Sequence, residues 1–404
     1  MFATPRSILG IIALSLLLGA PALTWGAGKP VLIGLDAEFG YTRSTSAEAI
    51  REGIEIAMDE INRSGGVLGG RPLVLVARPN HSVPARSIEN IKELAQKQDL
   101  VAVFCGRFSP TVLESLPTLH SEKMILLDPW SAADAIVDNN YHPNYAFRLS
   151  LKDNWAMKLM LGHARQRGIK KVGMLLLNTS WGRSSLKGAE KYSSAHPELK
   201  ITGVNWFNWN DKSFIEKYQA LRLSGAQAII LVSNANEAEI LIKEMAALPA
   251  EQRLPVLSHW GVTGGTMVEL TGPALHKVDF SVVQTYSFIG DQSTRAGKVV
   301  AAHNRLFKTV GARQIKSPVG VAQAYDLTHL LALAVNKAGS TDRRAIRDAL
   351  EHLGSYRGLI RNYRPPFSPE RHEALSAENV FMAGFAEDGA IVRKTLPLGP
   401  AGRE

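Results

Sequence analysis

The residues of this sequence that could do chemistry stand in short aromatic and polar runs, each directly behind an apolar stretch. Glu38, Phe39 and Tyr41 follow Val31–Leu35, and Arg107, Phe108 and Ser109 follow Val101–Phe104. Asp128, Trp130 and Ser131 belong to Asp128-Pro129-Trp130-Ser131-Ala132, behind Met124–Leu127. Trp181 lies behind Leu177, Asn234 behind Val232, Trp260 behind Leu257 and Tyr286 behind Thr285. These residue types hold small molecules. A hydroxyl or guanidinium donates to an anion, and aromatic faces cover an apolar or ring-bearing body. A cation held on aromatic faces is the other reading of the same rings. Ser109 precedes an apolar helix with Val112, Leu113 and Leu116, so its hydroxyl either caps that helix or joins the free backbone N–H groups there in holding an anion. Tryptophan is often only partly buried, so each ring taken alone could be core. Three of them at comparable positions favour a shared cleft.

Catalytic and cofactor signatures are missing. There is no G-x-S-x-G elbow, no G-x-x-x-x-G-K-[ST] loop and no H-E-x-x-H pair. The glycines of Gly65–Gly70 follow a helix, whereas a phosphate loop follows a strand, so they read as a turn. The 11 histidines are scattered and Cys105 is the one cysteine, which leaves no metal-ligand spacing and no intrachain disulfide. No nucleophile–base set assembles. The expectation is a binding protein that is not an enzyme and uses no metal and no cofactor. A net charge of +9 is spread along the chain without a basic cluster, which argues against nucleic acid as a partner.

The elements that must position these residues alternate. Near-continuous apolar strands at Val31–Leu35, Leu73–Val76, Val101–Phe104 and Met124–Leu127 are separated by helical spacings, such as Ile50, Ile54, Ala57, Met58 and Ile61. Thr45 and Glu48 have the spacing of a capping box for that helix. Tyr145–Leu149 reads as a link, after which the alternation restarts with strands at Val172–Leu177, Ile201–Val204, Ala228–Val232, Pro255–Leu257 and Ser281–Thr285. Longer helices follow at Thr294–Val310 and Val319–Lys337, then a shorter one at Asp342–Leu353. The proline-rich stretch after Tyr356 is irregular and ends in a strand at Val380–Phe385. The pattern is α/β, with mostly parallel sheets covered on both faces. In such sheets ligands bind beyond the carboxyl ends of the strands, where the aromatic and polar runs lie.

The first residues have the order of an export signal: Arg6, an apolar run from Ile8 to Leu18, a break at Gly19-Ala20-Pro21, and small residues at Thr24, Gly26 and Ala27. We read 1–26 as a signal peptide, with cleavage after Gly26 or Ala27. An uncleaved anchor is the alternative. The junction has no cysteine to take a lipid and the leader has no twin-arginine pair, which points to the general export route and the Gram-negative periplasm. About 375 residues remain, enough for two domains and too many for one ordinary core.

Several motifs occur in a familiar order. Ile33-Gly34 is followed by Glu52-Gly53-Ile54-Glu55-Ile56-Ala57-Met58-Asp59-Glu60-Ile61-Asn62, then Gly65-Gly66 and Gly69-Gly70. Gly106-Arg107-Phe108-Ser109-Pro110-Thr111 comes next, with Pro117 beyond it, then Leu127-Asp128-Pro129-Trp130-Ser131-Ala132, Trp181-Gly182 and Ala324-Tyr325-Asp326. In this the chain resembles the periplasmic solute-binding proteins of branched-chain amino acid type ABC transporters, the type I leucine/isoleucine/valine-binding family. The resemblance covers nearly the whole mature chain. It implies a type I periplasmic binding protein fold: two Rossmann-like lobes, three crossovers and a ligand cleft between the lobes. Lobe 1 would comprise 28–149 plus 286–357, and lobe 2 150–285 plus 358–397. The implied partners are a small organic ligand in the cleft and the membrane permease of an ABC transporter. A monomer is expected, with a dimer as the alternative.

The resemblance also implies residue roles. Ser109 would take a ligand carboxylate with nearby backbone amides, the Trp130–Ala132 loop would face the ammonium end, and Trp181 would pack on the ligand. The family's acidic ammonium partner maps to Trp260, or to His259 if the register slips by one. The family's loop threonine maps to Ala132, and Trp130 replaces a small residue. An α-ammonium buried without a carboxylate partner is costly. The carboxylate-holding half is kept and the ammonium-holding half is lost. The expected ligand is therefore a carboxylate-bearing aromatic or apolar compound rather than leucine, with an amide or urea-like compound behind it. An exported sensory receptor of the same fold is the alternative function.

Overall fold

The computed structural model describes residues 28–41 and 43–394. The export leader expected over 1–26, and the last residues of the second lobe's expected range, lie outside them. Among the described residues no helix is long and apolar enough to cross a membrane.

Strands β1 (Val31–Ala37), β2 (Leu73–Pro79), β3 (Leu100–Cys105), β4 (Ile125–Asp128) and β5 (Ala146–Arg148) form a parallel sheet in the order β2-β1-β3-β4-β5. Helices α1 (Ser46–Arg63), α2 (Pro84–Ala95) and α3 (Ser109–Ser121) connect the first four strands. Strand β3 is buried throughout, as a strand covered on both faces must be, and its apolar sequence supplies that burial.

A second sheet combines β6 (Lys171–Leu177), β7 (Lys200–Phe207), β8 (Ala228–Val232), β9 (Val256–Ser258) and β10 (Phe280–Gln284), all parallel, with antiparallel β13 (Phe381–Phe385) and β14 (Ile391–Arg393) at one edge. Its order is β14-β13-β10-β9-β8-β6-β7. The helices between these strands are α4 (Asp153–Gln166), α5 (Ser180–Ala195), α6 (Ile215–Leu223), α7 (Ala235–Ala247) and the short α8 (Met267–Thr271).

After β10 the chain returns to the first sheet's layers through α9 (Thr294–Phe307), α10 (Pro318–Ala338) and α11 (Arg343–Glu351), with α10 lying along α1. A Cβ at Gly53 of α1 would run into the backbone of Val321 in α10, so glycine is what lets the two helices approach. The hairpin of β11 (Tyr356–Arg357) and β12 (Asn362–Tyr363) precedes the final passage to β13. The polypeptide therefore crosses between the sheets after β5, after β10 and after β12. Two α/β lobes joined by three crossovers is the architecture the alternation and the resemblance implied.

Several local expectations are corrected. Tyr145–Leu149 is more than a link: Ala146–Arg148 pairs with Leu126–Asp128 as the fifth strand. The expected capping box at Thr45 does not form, because the Thr45 hydroxyl turns to Ser317 at 2.5 Å and leaves the start of α1 without a side-chain cap. Helix α9 stops at Phe307, short of Val310, because Lys308 adopts a left-handed φ of 57° that ends the ladder. The segment after Tyr356 holds a hairpin where irregular chain was expected.

Candidate ligand-binding cleft

The carboxyl ends of the parallel strands of both sheets face one another, and the residues that follow them line the space between. From the first lobe come Arg107, Phe108, Ser109 and Pro110 at the start of α3, and Trp130 and Ala132 behind β4. From the second come Leu177, Thr179 and Trp181 around the β6–α5 junction, Trp209 behind β7, Asn234 ahead of α7, and Trp260 and Gly261 behind β9. In this closed arrangement the lining side chains meet one another and leave a cavity of only ≈ 10 Å³.

The lobes are closed on each other. The rings of Trp130 and Trp260 meet with centroids 5.6 Å apart, and Phe108 meets Trp209 edge-on at 5.9 Å. Arg107 Nη1 donates to the carbonyl of Gly264 at 2.7 Å, which binds the start of α3 to the loop behind β9. Its guanidinium also lies 4.7 Å over the Phe108 ring and 3.8 Å from the Glu38 carboxylate. Glu38 is itself fixed by the Ser46 hydroxyl and by the Arg107 backbone N–H. Burial lowers the Arg107 pKa, opposed by the negative charge of Glu38. Burial likewise raises the carboxyl pKa of Glu237, the second-lobe acid whose charge Arg107 feels.

Helices α3, α5 and α7 all begin at the cleft, at Ser109, Ser180 and Ala235. Their unpaired N–H groups and dipole ends give the space a positive bias. The Ser109 hydroxyl is not the plain cap that the sequence allowed. Ser109 is the first residue of α3, Phe108 takes the cap position, and Ser109 Oγ accepts the backbone N–H of Ala133 at 3.2 Å. Thr179 Oγ1 and the indole N–H of Trp209 are buried without a partner among the described residues.

The structure therefore brings together Arg107, Phe108, Ser109, Trp130, Trp181, Asn234 and Trp260. It does not place Phe39, Asp128, Ser131 or Tyr286 in the lining. Phe39 packs on the core. Asp128 is completely buried beneath the cleft loop, accepting the N–H groups of Trp130 at 3.0 Å and Ser131 at 2.7 Å. Its carboxyl is pushed up to about 7 by burial, against the pull of Arg148. The Ser131 hydroxyl donates to Gly106 O at 2.8 Å. Asp128 and Ser131 thus shape the loop that presents Trp130. Tyr286 starts the second crossover, where its hydroxyl donates to Asp291 at 2.7 Å.

Trp209 and Thr179 went unnoticed in the sequence. The strand before Trp209 was expected to end at Val204, but β7 runs to Phe207, which puts Trp209 at the post-strand position the other rings share. Gly261 is a lining residue for a steric reason: a Cβ there would come within 2.5 Å of both Trp181 Cη2 and Ser233 O. Among the described residues no group of three or more His, Cys, Asp and Glu is placed to hold a metal ion.

Two lobes closing over a cleft at the carboxyl ends of their strands define a binding protein. The sequence profile of the periplasmic binding protein family matches residues 34–387, so the chain belongs to that family and works in the periplasm, as a binder and not an enzyme. The Leu/Ile/Val-binding protein homolog 2 of Brucella abortus is 21% identical over 370 residues, covering 89% of this chain and 92% of the relative. The crystal structure of a type 1 periplasmic binding protein from Bordetella pertussis superposes with a TM-score of 0.81 at 18% identity, covering 91% of this chain and 100% of that one. An ABC transporter solute-binding protein of Rhodopseudomonas palustris, solved with p-hydroxybenzoic acid, gives a TM-score of 0.75 at 16% identity, covering 91% of this chain and 96% of that one.

Proposed function

We propose that this protein is the solute-binding subunit of an ABC importer and that it captures a small carboxylate-bearing aromatic or apolar compound, not leucine. The observation that carries this is the make-up of the lining. Trp130, Trp181, Trp209, Trp260 and Phe108 supply ring faces, while Arg107, Ser109, Thr179, Asn234 and three helix starts supply donors. No Asp or Glu stands among the described lining residues. A carboxylate meets donors and a positive bias, and a ring meets tryptophan faces. An α-ammonium finds no carboxylate among the described lining residues and would lose its hydration without direct compensation.

Both ligand types occur among the relatives. The Brucella abortus homolog carries a branched-chain amino acid name, and the Rhodopseudomonas palustris protein holds an aromatic acid. The lining favours the second. Binding works by population shift: ligand contacts from both lobes favour the closed form, whose surface a membrane permease reads. Thermal denaturation with benzoate, 4-hydroxybenzoate, leucine, isoleucine and valine tests the reading. The aromatic acids raise the melting temperature and the aliphatic amino acids do not. Tight leucine binding with no response to either aromatic acid overturns it.

A further inference from the structure

Behind the cleft wall lies a cluster that no ligand role explains. Asp153 opens α4 at the first crossover and is fully buried. Its Oδ1 accepts two hydrogen bonds, from Trp181 Nε1 at 3.1 Å and from His259 Nε2 at 2.9 Å. His259, also fully buried, accepts the backbone N–H of Trp260 on Nδ1 at 3.0 Å. A backbone amide can only donate, so Nδ1 carries no proton in this arrangement. The ring proton therefore sits on Nε2, directed at Asp153. The Trp181 and His259 rings meet edge-on at 4.9 Å and 83°. The backbone N–H of Asp153 donates to Ala132 O at 2.8 Å, on the loop that carries Trp130.

Trp181, Trp260 and Ala132 all line the cleft, whereas Asp153 and His259 do not. We infer that Asp153 is the positioning residue of the ligand site, one carboxylate oxygen orienting the Trp181 indole directly and the Trp260 segment through the Nε2–H tautomer of His259. This rests on the cleft being the place where the ligand is held. A carboxylate accepting two N–H donors makes stronger bonds than a neutral acceptor does, and its burial keeps water from competing for them. The rings a ligand packs on are thereby held in one orientation before it arrives, which lowers the ordering cost of binding.

Oδ2 of Asp153 has no partner among the described residues. That asymmetry gives the test its shape. Asp153→Asn can keep an acceptor oxygen where Oδ1 stands and place its NH2 where Oδ2 was. Asp153→Leu keeps similar bulk and loses both bonds. Histidine ring ¹⁵N and tryptophan indole N–H resonances are recorded for the wild type and both variants, and benzoate and 4-hydroxybenzoate affinities are titrated.

The wild type shows His259 protonated on Nε2 and a Trp181 indole proton protected from exchange. In Asp153→Leu the Trp181 proton loses protection and affinity drops roughly tenfold or more, while Asp153→Asn retains most of both. An Nδ1–H tautomer in the wild type overturns the inference even if the leucine variant does not fold. A folded leucine variant with unchanged resonances or unchanged affinity also overturns it. If the wild type shows the expected resonances but binds neither acid, the ligand reading fails and the side-chain tie stands.

Discussion

Trp130 and Trp260 come from different lobes, 130 behind β4 and 260 behind β9, and their rings meet at 5.6 Å with only 1% of each residue exposed. Trp130 is backed by Gly320 of α10, where a Cβ would come within 2.8 Å of the Trp130 ring. The pair is therefore a seam that exists only while the lobes are closed. If both rings were plain core, truncation to alanine would cost about 3–5 kcal/mol of stability. Because each is covered by the opposite lobe, Trp130→Ala and Trp260→Ala weaken benzoate binding more than they lower the melting temperature of the unliganded protein. Calorimetric titration beside ligand-free scanning calorimetry measures the split. Gly320→Ala, which pushes Trp130 toward the cleft, weakens binding in the same way.

Arg107 holds the closed form through Gly264 O rather than through the ligand alone. A hydrogen bond from a charged group is worth about 1.5–3 kcal/mol. Arg107→Gln therefore lowers ligand affinity by roughly 10- to 100-fold, and small-angle scattering of the saturated variant shows a larger radius than that of the saturated wild type. Gly264→Ala acts similarly, since a Cβ there would collide with the guanidinium. Unchanged affinity in both variants would remove Arg107 from the closure.

Stability should depend on pH with an inverted limb. Burial raises the Asp128 carboxyl to about 7, and burial together with the charge of Asp153 raises Asp134 to about 6. Between about pH 4 and 7 the folded chain holds protons that the unfolded chain has lost, so stability falls as pH rises through that window. Glu60 and Asp99 act oppositely. The His329 imidazole 3.6 Å from Glu60, and the Lys29 ammonium 2.9 Å from Asp99, are the largest influences that hold them at about 2. Their stabilisation is present above the ordinary carboxylate range and lost as pH falls toward 2. The melting temperature thus peaks near about pH 5 and declines on both sides. Asp128→Asn flattens the upper limb. A steady rise from pH 4 to 8 would contradict the assignment.

Cys105 closes β3 with its Sγ 3.4 Å from Asp128 Oδ1, and burial pushes its thiol well above the ordinary value. The thiolate is the reactive form. The native protein should resist aromatic disulfide reagents at pH 8 and react with one equivalent on unfolding. Fast labelling of the folded chain would show that β3 opens locally.

The alternation of strands and helices is legible because each element's pattern is local. An apolar run such as Val101–Phe104 must be covered on both faces wherever it lies. The rule that ligands gather beyond strand ends then picks out Arg107, Ser109, Trp130, Trp181, Asn234 and Trp260 without any knowledge of the lobe geometry. The same rule misplaces Tyr286, because the chain behind β10 leaves for a crossover, and it overlooks Trp209, because β7 continues three residues past its expected end at Val204.

By itself, then, the sequence determined the two α/β units, the absence of catalytic motifs and all the cleft rings named here but Trp209. What it could not determine was which polar residues serve the ligand and which serve the rings. Asp128 reads as a site residue until its carboxylate is seen folding its own loop. Asp153 holds Trp181, 28 positions away, and His259, 106 positions away, and no local pattern marks it for that. Hydrophobic periodicity is written in neighbouring residues, whereas a hydrogen bond between distant side chains depends on how two lobes and their crossovers bring them together, and only the tertiary structure supplies that.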